Sequence, residues 1–493
     1  MNKLKYILGA LFLGTLIQAC TIDKFPEDSI ELSHSFESIN DARSWDNGFY
    51  AYFRGRVYGI YTFVTDIQAD QLNATIDYGN SLGAEHRWTD FLSGNYELRD
   101  IYRGYYAGIN NINTALEGFA KVPIKNEAEQ KQLNQFIGDA HFARAYYYLN
   151  LALRFSKAYN PGTAASDLAV PLILIPDFRA KPPRATLEAV YKQILADLAI
   201  AKTNLAAVPG KLASTRFTID AVSALEARVK FYSGDWNGAL AAAEGVISKG
   251  LYPLVNSQEA LRKLWIEDSG QEVIFQPKVS RPSELPNTIS PTYGYSAANR
   301  DYRPNYLPSK WVINKYQDND FRKSVFFLET TITMLGKRTT GFVVNKFAGS
   351  TVTGLNNDKS SNYVTPKVFR IAELYLIAAE SAYKKGDAAT AQKYLNLLRV
   401  SRGLTELSVT GPALFDEIKD ERFRELAFEG FRLDDLKRWN EGFERREPQS
   451  FDLVRDGSEF SSKKVEANNP KFVWGLPEND ITINPNLVQN QGW

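Results

Sequence analysis

The chain has 493 residues in which 58 Lys and Arg face 57 Asp and Glu, so no net field exists to gather nucleic acid or an acidic substrate. A single cysteine excludes an internal disulfide, and stability must come from burial alone, which a chain of this length can supply. The three histidines, His34, His86 and His141, lie far apart and match no zinc spacing, so no metal site or cofactor is expected from them.

At the start of the chain, Lys3 and Lys5 precede an apolar run from Tyr6 to Ala19, shorter than the roughly 20 residues that a spanning helix needs. A basic start, a short apolar core and a small residue before the cut make a secretory signal, expected over residues 1–19. Ile17, Gln18 and Ala19 lead into Cys20, and this resembles the lipobox of bacterial lipoproteins. The resemblance implies that Cys20 becomes the first mature residue, with acyl chains on its sulfur and amino group. One such chain anchors only marginally and two or three hold, so the protein is expected on a membrane surface. After residue 20 no apolar run of about 18 residues recurs.

Ala69 to Leu98 is irregular and aromatic, and Tyr96 to Phe119 reads as a helix. Phe136 to Phe155 has apolar residues at three-and-four spacing and is closed by the Tyr159–Gly162 turn. Thr186 is placed to cap a helix of about five turns. Two stretches, from Ala224 and from Leu376, align with each other: Ala227 with Ala379, Phe231 with Tyr383, Gly234-Asp235 with Gly386-Asp387, Ala239 with Ala391. That is the grammar of a tetratricopeptide unit, in which small residues let two antiparallel helices approach and Gly-Asp supplies the turn and the next cap. Between them, Gln271 to about Pro366 is rich in Pro, Asn, Ser and Tyr, and "TITMLGKRTTGFVVNKF" predicts two strands around Gly336-Lys337. Irregular loops held on a rigid scaffold are where binding sites concentrate.

The C-terminal third is more specific. "FRIAELYLIAAESAYKKGD", "IKDERFRELAFEGFRLDDLKRW" and the closing "ENDITINPNLVQNQGW" resemble the SusD/RagB family, the lipid-anchored nutrient-binding proteins of the Bacteroidota outer membrane. The similarity continues upstream through "ARAYYYLNL", "AVPLIL", "RATLEAVYKQILADL" and "YSGDWNGALAAAEGVI", with two departures: Phe423 stands where the family often has a basic residue, and Trp493 replaces a terminal tyrosine. From Glu421 to Trp439 the acids and arginines read as one helical stretch, its charges paired three or four apart while Phe423, Leu426, Phe431 and Trp439 pack inward. The resemblance implies a mainly α fold, a tetratricopeptide-like superhelix of four helical pairs cradling a large irregular subdomain with short strands. The expected organisation is a signal peptide at 1–19 and one domain at 20–493. Its helical scaffold lies at about 36–270 and 366–445, the ligand-binding insertion at about 271–365 and an extended segment at 446–493.

The same resemblance implies a cell-surface lid over a SusC-like TonB-dependent outer-membrane transporter that captures glycans or, in some branches, peptides. A pyranose offers CH faces that flat rings can cover and hydroxyls that polar side chains can bind. Candidates for the platform are Tyr78, Trp88, Tyr293, Tyr295, Tyr302 and Trp311, with Asp70, Asn73, Arg87, Asn95 and Arg300 as polar partners. A surface glycoside hydrolase would need two carboxylates across a sugar bond. The most visible pair, Asp434-Asp435, sits on adjacent helix positions that point about 100 degrees apart. No nucleophile elbow, metal motif or phosphate-binding glycine loop accompanies it. A scaffold binding only protein would leave the aromatic loops without a purpose. The expectation is therefore non-enzymatic binding of an extracellular oligosaccharide and its delivery to the transporter, with peptide capture and, less favoured, glycoside hydrolysis as alternatives.

Overall fold

A computed structural model describes residues 34–177, 179–285, 290–296, 299–349 and 363–493; the expected signal segment and Cys20 lie outside them. The long helices Tyr96–Phe119 and Glu127–Phe155 each start on an asparagine. Asn95 Oδ1 accepts from the Leu98 amide at 2.8 Å and Asn126 Oδ1 from the Glu129 amide at 3.0 Å, which satisfies donors that a helix start leaves free. The second of these begins more than two turns before Phe136, because its first turns are solvated and carry little apolar periodicity to reveal them. Thr186 caps Leu187–Asn204 as its position predicts.

The two self-similar stretches are helical hairpins, Ile219–Ser233 with Trp236–Ile247 and Ile371–Lys384 with Ala388–Ser401. Asp235 and Asp387 cap the second helix of each. Ala227, Ala239, Ala379 and Ala391 are fully buried, which lets the paired backbones come close. Trp236–Ile247 packs directly on Ile371–Lys384, so the superhelix resumes across the irregular stretch as if it had not been interrupted. One core runs through these helices; a second, from Tyr58 and Phe63 to Tyr306, Phe347 and Phe428, fills the irregular half. The predicted strands form the hairpin Phe327–Met334 with Lys337–Val344, turning on Leu335 and Gly336, both left-handed as a two-residue hairpin turn requires. Among the described residues, no helix is long and apolar enough to cross a membrane.

The charged C-terminal stretch is not a single helix. Gly411–Glu425 and Arg432–Trp439 are separated by a break at which Phe428 and Gly430 take φ of 64° and 83°. A Cβ on Gly430 would stand 2.6 Å from the Thr62 carbonyl oxygen, and the Gly430 amide donates to Asp66 at 2.7 Å, so only glycine permits this approach. Some charges do pair along the helices, Glu421 with Arg424 and Asp435 with Arg438. The larger number reach across to other segments: Glu421 accepts from Arg322 at 2.6 Å, and Glu425 accepts from Arg402 at 2.9 Å and from Arg370 at 2.8 Å, all of them buried. Buried charges are tolerated when each has several partners, and this network joins the irregular half to the helices.

Candidate functional site

The candidate residues lie in two stretches of sequence, 70–95 and 293–311. A short antiparallel ladder, Leu72–Ala74 against Tyr306–Pro308, brings these together, with Leu72 opposite Pro308 and Ala74 opposite Tyr306. The Thr75 amide donates to the Asn305 carbonyl and the Ser309 amide to the Gln71 carbonyl, extending the pairing at both ends. Antiparallel register then places Asp70 beside the Ser309–Trp311 end, while beyond Thr75 the chain turns and Tyr78 packs against Tyr306.

At the first end opens a cleft of about 410 Å³ whose lining includes Asp70, Trp311, Phe423, Arg432, Trp439 and Arg446. Asp70 is buried and takes both N–H groups of Arg432, Nε at 2.9 Å and Nη2 at 2.7 Å, a bidentate pair. Burial works against the Arg432 charge, but Asp70 more than compensates and its pKa stands above the ordinary value. The Trp311 ring is half-buried, 5.2 Å from the Phe423 ring and inclined to it by 36°. Arg446 lies 5.5 Å over Trp311, and Arg432 4.9 Å over Phe423, as cations over ring faces. Trp311 Nε1 is buried with no hydrogen-bond partner among the described residues. Around the rim, Lys315 pairs with Asp420 and Lys419 with Glu441, so both signs of charge are present. The arrangement can stack flat faces and bind hydroxyls. Asp70, with both oxygens on one guanidinium, is poorly placed to move a proton.

The other candidates are distributed differently. At the far end of the ladder the Tyr78 hydroxyl accepts from Arg87 at 2.8 Å and donates to Asn80 at 3.2 Å, while its ring turns edge-on to Tyr306 and Phe460 and is only 5% exposed. Arg87 is half-buried and also paired with Asp90. Tyr295 and Tyr302 face each other at 5.4 Å on two short paired strands, both half-buried, with Arg300 exposed near the turn between them.

Five of the expected residues belong to the framework instead of a ligand surface, Tyr78 with its buried ring among them. Trp88 is 2% exposed, donates Nε1 to the Gln68 carbonyl at 2.7 Å and packs against Phe443 and Phe472. Tyr293 is 0% exposed against Phe63 and Phe347. Asn73 is buried inside the ladder, and Asn95 is the helix cap described above. Irregular backbone has a core of its own, and large rings are what fills it. Conversely, Phe423, Arg432, Trp439 and Arg446, which helical spacing assigns to the scaffold or leaves unmarked, line this cleft. For these residues the sequence carried one departure, the aromatic at 423 in place of a basic residue, while Asp70 and Trp311 of the same cleft stood among the candidates.

Of the histidines, His86 is buried with Nδ1 on the Ile67 carbonyl, His141 pairs with Asp197 and His34 with Glu37. Among the described residues no three His, Cys, Asp or Glu side chains gather as a metal site would require.

Residues 328–493 match the model of the SusD family, and residues 28–231 match a model described as starch-binding associating with outer membrane. The chain is 23% identical to SusD-like protein P38 of Formosa agariphila over 441 residues, 78% of each chain. Among solved structures, a SusD superfamily protein of Bacteroides thetaiotaomicron superposes with a TM-score of 0.77 at 25% identity, covering 92% of this chain and 99% of that one. A SusD-like carbohydrate binding protein of Bacteroides vulgatus superposes with a TM-score of 0.73 at 18% identity, covering 92% and 98%.

Proposed function

Because this chain belongs to the SusD/RagB family, we propose that it binds an extracellular oligosaccharide at the outer membrane and delivers it, without turnover, to a partner SusC-like TonB-dependent transporter. The observation that carries this reading is the cleft in which Trp311 and Phe423 stand side by side, framed by Arg446 and by the Asp70–Arg432 pair. Rings cover the CH faces of a sugar, and the Arg432 and Arg446 guanidinium groups lining the same cleft can donate to its hydroxyls. Cys20, acylated, tethers the chain to the membrane. The superhelix is the extended, rigid surface that bears against the barrel, while the irregular half holds the ligand.

A second reading, capture of a peptide, is favoured by the charge of both signs at the same rim, where Lys315, Lys419, Asp416 and Glu441 would meet termini and side chains. Calorimetry against polysaccharides and peptides separates the two. Saccharide binding that Trp311→Ala weakens at least tenfold supports the first reading, peptide binding alone supports the second, and release of reducing sugar would favour a hydrolase. Cys20→Ala is expected to release the protein from the membrane or leave it uncleaved; a washed surface that retains it refutes the anchor. Mild detergent extraction is expected to recover the protein with a barrel in near-equal amount, and recovery of this chain alone counts against the pair.

A further inference from the structure

A second and larger cleft, about 720 Å³, lies against the same Arg432–Trp439 helix. Trp439 lines the first cleft, and Asn440, the next residue, lines the second. The wall is built from the turn at 157–167, the end of that helix, the turn at 467–470 and the chain end at 490–491.

The charged side chains on this wall are already engaged. Lys157 pairs with Asp167 at 2.7 Å, Lys437 donates to the carbonyls of Leu153 and Ser156, and Arg438 is held by Glu380 and Asp435. Three neutral amides remain: the side chains of Asn440, Asn468 and Gln491 are exposed and carry no hydrogen bond among the described residues. Beside them the Tyr159 ring is half-buried, 4.8 Å from Tyr191. Each amide offers a donor and an acceptor, the pairing that vicinal hydroxyls present, and no uncommitted charge is left to attract an ion. The volume falls within the roughly 300–1,000 Å³ of small-molecule sites.

We propose that this cleft is a second saccharide site, selective for neutral sugar units, with Asn440, Asn468 and Gln491 as the hydroxyl-binding groups and Tyr159 as the ring beneath them. The ligand class rests on the saccharide reading above, but the residues are separate from those that carry it. Because the two clefts meet one helix end, at Trp439 and Asn440, a glycan long enough to reach both would make its second contact at high effective concentration. Affinity then rises with chain length more steeply than one cleft allows.

The test is calorimetry with neutral malto-, xylo- and manno-oligosaccharides of increasing length on four proteins: the parent, Trp311→Ala, the triple variant Asn440→Gly/Asn468→Ala/Gln491→Ala, and their combination. Glycine at 440 keeps the left-handed backbone that Asn440 adopts, φ 55°, so the helix end is preserved. The triple variant is expected to lose at least tenfold in affinity for the longer chains with circular dichroism unchanged. Saccharide should also slow hydrogen exchange at 157–163 and 467–470 in the parent and in Trp311→Ala. If the triple variant binds like the parent and those turns gain no protection, this inference is overturned while the first cleft stands. Loss confined to the triple variant leaves this site standing and overturns the first. No binding of any neutral saccharide overturns both.

Discussion

Ser309 donates its hydroxyl to the Asn73 side-chain oxygen at 2.7 Å, joining buried residues 236 positions apart in sequence. The bond sits inside the ladder that carries Asp70 and Trp311 at one end, so it positions the first cleft without touching a ligand there. Asn73→Ala leaves the Ser309 hydroxyl unpaired and is expected to destabilise the protein by about 1–3 kcal/mol. Urea unfolding and saccharide calorimetry measured together check this. Ligand affinity should fall with stability, and an unchanged affinity would mean that the ladder does not align the cleft.

Trp88 and Trp311 are expected to respond in opposite ways. Trp88→Ala empties a core site closed by Phe443 and Phe472, at a cost of about 3–5 kcal/mol. Trp311→Ala acts at a half-buried ring, so affinity should suffer more than stability. Denaturant midpoints for both variants, set against their affinities, decide the matter, and the reverse pattern would exchange their roles.

Glu425 is shared by Arg402 and Arg370, with all three side chains buried. Removing one member of such a group strands the others in a medium that cannot hydrate them. Glu425→Ala is therefore expected to cost about 3–5 kcal/mol. Because the network joins the irregular half to the helices, protease sensitivity of residues 268–370 should rise. Equal stability of parent and variant would mean that water or a rearranged partner takes the carboxylate's place.

Acid should dissolve part of the same network. Burial alone would raise the pKa of Glu421, but Arg322 and Arg424 override it and hold the carboxylate at about 2, against 4.5 when unfolded. A lowered folded pKa means that the unfolded chain binds the proton first. The contribution of Glu421 is thus complete above pH 4.5 and lost as pH falls towards 2. Glu421→Gln should flatten the acid limb of a stability–pH curve measured by denaturant titration. A parallel downward shift of the whole curve would assign the residue a packing role only.

Glu85 is the opposite case. Both of its oxygens are buried with only weak contacts to its own amide and to Asn95, and burial outweighs these and pushes its pKa up to about 7. With a raised folded pKa, the favourable neutral form is held below pH 4.5, and stability is lost as pH rises through about 7. Glu85→Gln keeps the neutral form at all pH. Its melting temperature relative to the parent should improve between pH 4.5 and 8, and a difference that does not change with pH would rule this out.

The helices were legible because their information is local. Thr186, Asp235 and Asp387 cap where their positions say they must, and the matched alanines of the two hairpins are buried as close approach requires. The Glu127 start was hidden, since a solvated first turn carries no apolar period. The break at Phe428–Gly430 was hidden too, because the charges on either side keep helical spacing while the backbone turns to meet Thr62 and Asp66.

The site was only partly legible. An apolar period tells which side of a helix faces inward, whereas irregular backbone has no period and therefore no readable inside. Trp88, Tyr293 and Trp311 look alike in sequence, and packing alone makes the first two core and the third a cleft wall. Local residue patterns suffice for the helical pairs, their caps and the aromatic stock of the loops. The pairing of Leu72–Ala74 with Tyr306–Pro308, the choice of Arg432 as the partner of Asp70, and the rings left within a ligand's reach were decided by the tertiary structure, because each depends on groups hundreds of residues apart arriving at one place.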